Sequence, residues 1–341
     1  MSDLTLALDA MGGDFGPQVT VPAALQALEY FPALNISLFG DKNTIERYLP
    51  NDCKFLNRLA IVHCSQIVTM HDKPLTALRN RRDSSMRRAL DLVHQGKAGA
   101  CISAGNTGVL MAMAKLILKT LPGIDRPALI SILPTLNNKP VYMLDLGANV
   151  TCDSETLLQF AVMGSVLANK LDDIACPRIS LLNVGEEAIK GNDVVKQTAE
   201  LLKEVDQLNY QGFIEGHQIF EGKTDVIVCD GFVGNISLKT TEGVANLLIA
   251  HLKQASESSL LMKALSLISK PFLKKVLRKV KPDQYNGASL LGLRGIVIKS
   301  HGNADQQAFF NAIKQAVIEV EQQVPNRIQD SLESILLEKI C

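Results

Sequence analysis

The chain carries no net charge: its 35 Lys and Arg are balanced by 35 Asp and Glu among 341 residues. A whole-molecule field able to hold nucleic acid is therefore excluded, and any charge-driven partner must use a local patch. The seven cysteines, Cys53, Cys64, Cys101, Cys152, Cys176, Cys229 and Cys341, include no pair at zinc or redox spacing. Buried or idle thiols in a reducing compartment are expected. No uncharged apolar run reaches the roughly 18 residues of a membrane-spanning helix. Residues 99–114 come nearest and are interrupted by Gly105, Asn106 and Gly108. Met1-Ser2-Asp3 carries an acid and runs straight into a strand pattern, so no signal peptide is read and a cytosolic protein is expected, lying on a membrane if it meets one. The GxSxG elbow, HExxH, the Walker pattern and GxGxxG are all missing. The six histidines, His63, His71, His94, His217, His251 and His301, are scattered, none near a cysteine at ligand spacing. Metal catalysis, a Ser or Cys nucleophile, and binding of nucleoside triphosphates or dinucleotides are thus disfavoured. No internal repeat and no low-complexity linker is present.

What is present is a globular composition, 47% apolar and 21% charged, in a chain long enough to bury about three quarters of its unfolded surface without disulfides. Short β-rich apolar runs alternate with longer helical patterns. Strands are expected at 4–8, 36–39, 59–62, 98–102, 128–133, 141–146, 179–184, 225–228 and 296–300. Helices are expected at 19–30, 84–95, 107–118, 154–169, 194–204, about 235–253, and 304–324. Strands without alternation, separated by helices, predict an α/β architecture with a doubly wound, mostly parallel sheet covered on both faces. Residues 1–324 are read as one α/β/α domain and 325–341 as an amphipathic tail. In that tail Ile328, Leu332, Ile335 and Leu336 share one face, which fits packing on its own subunit or on a partner subunit equally well.

Open α/β sheets bind ligands beyond the carboxyl ends of their strands. Six such ends carry polar or glycine-rich turns. The first holds Asp9, Gly12, Gly13 and Asp14; the second Ser103, Gly105, Asn106, Thr107 and Gly108; the third Asp145, Gly147 and Asn149. The fourth holds Gly185 and Glu186 with Lys190 following, the fifth Asp230, Gly231 and Asn235, the sixth His301, Gly302 and Asn303. Gly and Asn are also the ordinary residues of turns with positive φ, and for Asp9 and Asp14 helix capping or turn geometry is the plainer reading beside a bond to a ligand's hydroxyl. The recurrence at strand ends, expected to line one rim, nevertheless suits an anion or a carbonyl oxygen. Glycine lets backbone approach closely, helix N-terminal amides donate, and Asn offers an uncharged donor and acceptor.

Two basic segments stand out. Arg79, Arg81, Arg82, Arg87 and Arg88 crowd around Ser84-Ser85, where a solvated helix face is the plain reading. Between 258 and 282 there is no acid, while Lys263, Lys270, Lys274, Lys275, Arg278, Lys279 and Lys281 accompany Leu261, Leu265, Ile268, Phe272 and Val276 at helical spacing, with Pro271 as a break. A basic amphipathic helical pair at about 256–282 suggests an anionic membrane surface or an acidic protein; a stripe packed on the body is the plainer alternative.

Taken in order and spacing, LALDAMGGDFGP, SAGNTG, DLGAN, VGEE…KGN and CDGFVGN closely resemble the bacterial phosphate acyltransferases of phospholipid synthesis, from Leu4 to about Ala312. The resemblance implies a three-layer α/β/α dimer related to phosphate acetyltransferase and to isopropylmalate and isocitrate dehydrogenases, with a protruding basic helical pair. It implies reversible transfer of a long-chain acyl group from acyl-acyl carrier protein to inorganic phosphate, without a cofactor. The acyl phosphate would feed a membrane glycerol-3-phosphate acyltransferase. By the same resemblance Lys190 and Asn235 are the catalytic pair. Asp9, Gly12, Gly13, Ser103, Gly105, Asn106, Thr107, Asp145, Gly147, Asn149, Glu186, Asp230, Gly231 and His301 become phosphate or substrate contacts. Leu261, Lys263, Leu265, Lys270, Lys274, Lys275, Arg278 and Lys279 become the docking surface for membrane or carrier protein. Three rivals stand beside this reading. A short-chain phosphate acetyltransferase using coenzyme A would need no basic helical pair. A metal- and NAD-dependent decarboxylating dehydrogenase would need an Asp cluster and a dinucleotide fingerprint. A membrane scaffold would need no chemistry.

Overall fold

A computed structural model describes residues 4–257 and 287–338. In chain order the elements are β1 (Leu4–Asp9), α1 (Pro17–Tyr30), β2 (Leu34–Gly40), α2 (Lys42–Glu46), β3 (Leu59–His63), α3 (Pro74–Asn80), α4 (Ser85–His94) and β4 (Ala100–Ser103). There follow α5 (Thr107–Leu118), β5 (Ala128–Leu133), β6 (Val141–Leu144), α6 (Ser154–Asp172), β7 (Arg178–Leu182), α7 (Asp193–Lys203), β8 (Asn209–Ile214) and β9 (Val226–Val228). The last are α8 (Gly231–Glu257), β10 (Ala288–Leu291), β11 (Ile296–Lys299), α9 (Gln306–Glu321) and α10 (Val324–Glu338). The expected docking residues from Leu261 to Lys279 lie outside the described residues. Among the described residues no helix is long and apolar enough to cross a membrane.

The strands form one 11-stranded sheet in the order β3-β2-β1-β4-β11-β10-β5-β6-β9-β7-β8. Most neighbours are parallel; β10 pairs antiparallel with both β11 and β5, and β5 antiparallel with β6. The expected mostly parallel α/β sheet is therefore what forms. Apolar side chains from both faces are buried. Val109 and Met113 of α5, Met86 and Leu90 of α4 and Leu238 of α8 pack on the face that Val297, Leu290 and Met143 present. The opposite face carries α1 and α9 at one end and α6, α7 and α10 at the other.

Two expectations are corrected. The strand ends do not line one rim. Following the pairings, β1, β2, β3, β4, β5 and β11 run one way, and β6, β7, β8, β9 and β10 the other. The carboxyl ends of β1, β4 and β11 thus lie on one edge of the sheet and those of β6, β7 and β9 on the opposite edge. The reversal is the connection 134–140 between β5 and β6, far shorter than the dozen or more residues a parallel crossover needs. Secondly, α8 begins at Gly231, four residues ahead of the expected start, because the Asp230 carboxylate accepts the Val233 amide at 2.8 Å and caps the helix. The tail, open in the sequence, packs on its own subunit: Ile328, Leu332 and Ile335 of α10 are buried with Phe160, Leu167 and their neighbours on α6.

Candidate active site

At the edge formed by β1, β4 and β11, three turns converge. Ser103 donates from Oγ to the buried Asp9 carboxylate at 2.7 Å and accepts the Gly105 amide at 3.0 Å. Burial pushes the Asp9 carboxyl above its ordinary range, against the pull of hydrogen bonds from Ser103, Ser85 and the Met11 and Gly12 amides. Gly12 leaves no room for a side chain, since a Cβ there would stand 2.7 Å from both Asp9 Oδ2 and the Gly105 nitrogen. Asn106 caps α5 by accepting the Val109 amide at 3.1 Å and donates to the Met70 and Asp72 carbonyls. Its side chain therefore builds the turn, and Thr107 opens the helix beside it.

The opposite edge is built around Asp145. Its buried carboxylate accepts the amides of Leu129, Ala148 and Asn149 at 3.0, 3.0 and 2.6 Å and the Asn149 side chain at 2.9 Å. Asn149 also donates to the Pro127 carbonyl at 2.8 Å. Both side chains are spent on holding the 145–149 turn. The start of α8 seats on that turn: Gly231 donates to the Asn149 carbonyl at 2.8 Å, and a Cβ on Gly234 would fall 1.9 Å from the Asp145 carbonyl oxygen. This close approach sets Asn235 against Gly147, whose φ of 115° exposes backbone toward it. Lys190 lies exposed in the loop after β7, its carbonyl accepting from the Asn183 side chain at 3.2 Å. Glu186 in the same loop bonds Gln218 of the short helical turn before β9. Cys229 and Cys152 border this edge, and burial pushes the Cys229 thiol far above its ordinary value and Cys152 to about 12. Neither is a thiolate nucleophile at neutral pH.

The two edges are joined along one face by α8. Asn235 sits at the β6–β9 edge. Two turns further on, Glu242 directs Oε2 to Lys239 at 2.7 Å and Oε1 toward His301 Nε2 at 3.4 Å, and His301 follows β11. A cavity of about 1510 Å³ opens there, its walls including Leu133, Phe220, Leu238, Ala245, Leu248 and His301. Leu238 is one helical turn beyond Asn235 and shares its side of α8. One residue escaped the reading of the sequence: Lys299, the last residue of β11, only 9% exposed. Its signal was a charged side chain closing a fully apolar strand at a carboxyl end.

The chain is similar to known proteins over its length. The model of the fatty acid synthesis protein family matches residues 4–327. A phosphate acyltransferase of Shewanella halifaxensis (strain HAW-EB4) is 59% identical over 339 residues, 99% of each chain. That of Shewanella pealeana (strain ATCC 700345 / ANG-SQ1) matches equally. Among solved structures, a phosphotransacetylase from Streptococcus pyogenes superposes with a TM-score of 0.62 at 16% identity, covering 95% of this chain and 94% of its own.

Proposed function

This chain belongs to the fatty acid synthesis protein family and is an enzyme that transfers an acyl group to phosphate; from that premise we propose that its donor is a long-chain acyl-acyl carrier protein, with Asn235 and Lys190 as the catalytic pair. The observation that carries the proposal is the run of α8, which sets Asn235 against Gly147 at one end and leads, one turn on, into the apolar cavity at Leu238. A long acyl chain has somewhere to lie along the same helix that presents the catalytic amide. A two-carbon acyl group would leave most of about 1510 Å³ empty, which favours the long-chain reading over a coenzyme A-dependent acetyltransferase.

The chemistry asks little of the protein beyond placement. Phosphate is already a nucleophile and a thioester already activated, so neither a covalent enzyme intermediate nor ATP is needed. An oxygen of phosphate attacks the thioester carbonyl, and the C–S bond breaks as the tetrahedral oxyanion collapses. The products are acyl phosphate and the carrier thiolate, which takes a proton from solvent. Positioning supplies up to roughly 7–11 kcal/mol of such a barrier, and one well-aimed donor about 3–4 kcal/mol. Asn235 donates to the developing oxyanion, and the exposed Lys190 swings in to neutralise it or the phosphate. Asp145 and Asn149 act as positioning residues, because their side chains hold the turn that seats α8.

The remainder of the proposal follows the same premise. The enzyme works as a homodimer on the cytoplasmic side of an anionic membrane, where 258–281 meet the membrane or the carrier protein. Its acyl phosphate passes to a glycerol-3-phosphate acyltransferase. The test is kinetic. Asn235→Ala should lower kcat by about 10²–10³ with the fold intact, and Lys190→Met should lower it as well. Wild-type turnover by folded Lys190→Met overturns the assignment of that lysine.

A further inference from the structure

Lys299 closes β11, a strand whose other residues are all buried and apolar. Val297 packs toward α5, and the pleat sends Lys299 to that same face. Its ammonium donates to the Ala104 carbonyl at 3.4 Å and to the Ser300 carbonyl. Two carbonyls use part of the ammonium's three donors and none of its charge. Among the described residues its carboxylate neighbours Asp9, from β1, and Asp14, from the turn after it, act on it through space rather than by ion pairing. On α8 the facing groups are Lys239, which adds positive charge, and Glu242, which is already paired with Lys239 and turned toward His301. Burial and Lys239 outweigh the two aspartates and pull the Lys299 ammonium down to about 8. Holding a buried cation against carbonyl dipoles, with no carboxylate in contact among the described residues, is costly, and an anion supplied from outside the chain would relieve that cost.

The surroundings suit a small tetrahedral anion. Gly12, Gly13 and Gly105 let the turns after β1 and β4 and the turn after β11 close on one another. A Cβ on Gly13 would stand 2.9 Å from the Gly302 carbonyl oxygen, and the Asp14 amide donates to that oxygen at 2.7 Å. The N-terminal turn of α5 opens at the same edge and favours negative charge. Lys239 is four residues beyond Asn235 on α8, about 6 Å of helical rise.

We propose that Lys299, assisted by Lys239, is the anchor for inorganic phosphate, holding it at the edge of β1, β4 and β11 while α8 presents Asn235 to the thioester. The assignment rests on the acyl-transfer reading above and adds to it a binding residue and the place of one substrate. Because Lys299 lies beneath closely packed turns, the anion is free phosphate rather than the phosphodiester of a pantetheine arm.

The test compares wild type with Lys299→Met and Lys299→Arg. For Lys299→Met the KM for phosphate should rise at least about tenfold, equivalent to about 1.4 kcal/mol, while the KM for acyl donor stays within about twofold. A merely structural lysine would move both or neither. Independently of turnover, phosphate should raise the Tm of the wild type over chloride at equal ionic strength, and Lys299→Met should lose that rise. Should Lys299→Met fail to fold, wild-type protein labelled with ¹⁵N-lysine gives the answer. Phosphate should then shift the side-chain resonance that Lys299→Arg lacks. An unchanged KM for phosphate in folded Lys299→Met, or a resonance unmoved by phosphate, overturns the proposal. So does a resonance moved by pantetheine phosphodiester but not by phosphate. A wild type that binds phosphate through Lys299 yet transfers no acyl group would sink the donor assignment and leave the phosphate anchor standing.

Discussion

Asp145 accepts four hydrogen bonds from its own turn and from Leu129, whereas Glu319 on α9, 1% exposed, accepts two, from Ser289 at 2.8 Å and Gln315 at 2.9 Å. Burial dominates at Glu319 and raises its carboxyl to about 7. Between about pH 4.5, its ordinary value, and pH 7 the folded state keeps a proton that the unfolded state has lost. Stability from this group is therefore complete below that window and is lost as pH rises through it. Glu319→Gln can still accept from Gln315 and can donate to Ser289 Oγ. By thermal unfolding it should be more stable than wild type at pH 8, by about 1–3 kcal/mol, and nearly equal to it at pH 5. An offset that is the same at both pH values would contradict this. Residues of this kind were invisible in the sequence: Glu319 stands between Ile318 and Val320 in a helix pattern that also carries Gln315, Glu321 and Gln322, and only the packing of α9 seals it. The glycine–asparagine turns were legible because their spacing after strands is local. What their side chains do was not. Asn106 and Asn149 bond to backbone carbonyls more than 20 positions away, a fact fixed by tertiary packing.

The decisive element is α8. Its onset at Gly231 depends on the Asp230 cap and on glycines that tolerate the 145–149 turn within contact distance, so Asn235 falls inside the first turns and not ahead of them. Phe232, Ile236 and Leu247 along it lie off the cavity and are exposed by 49–58%, which suits the homodimer proposed above. On its inner side Leu238 walls the cavity. Leu238→Trp should lower kcat/KM for sixteen-carbon donors by about tenfold or more and spare those of eight carbons or fewer. Equal loss for all chain lengths would place the acyl chain elsewhere. At this scale the sequence patterns of α5 and β5 matched their observed bounds, since an apolar run between polar turns leaves little choice. β8 and β10 escaped notice: β8 is an edge strand with half-exposed residues, and β10 is four residues long. The opposed strand directions were encoded in the seven-residue connection 134–140, a length that forbids a parallel crossover.

Across the whole molecule the sheet binds two sets of strands of opposite direction, and α10 returns from β11's end of the sheet to pack on α6. Leu332 there is 5% exposed, so Leu332→Ala should destabilise by about 2–5 kcal/mol, read as a lowered denaturant midpoint with kcat unchanged. A changed kcat at constant stability would give the tail a part in the reaction. On one face α8 runs from Asn235 beside Gly147 to Glu242 beside His301 and so links the two sheet edges, and the proposed function asks both substrates to meet along it. The direct measurement is to incubate the purified protein with palmitoyl-acyl carrier protein and radiolabelled inorganic phosphate, without ATP, metal or nicotinamide, and with acetyl-coenzyme A as the parallel donor. Labelled acyl phosphate from the carrier-protein thioester, and little from acetyl-coenzyme A, is the predicted result. Product mainly from acetyl-coenzyme A, or from neither donor in a folded protein, would contradict it.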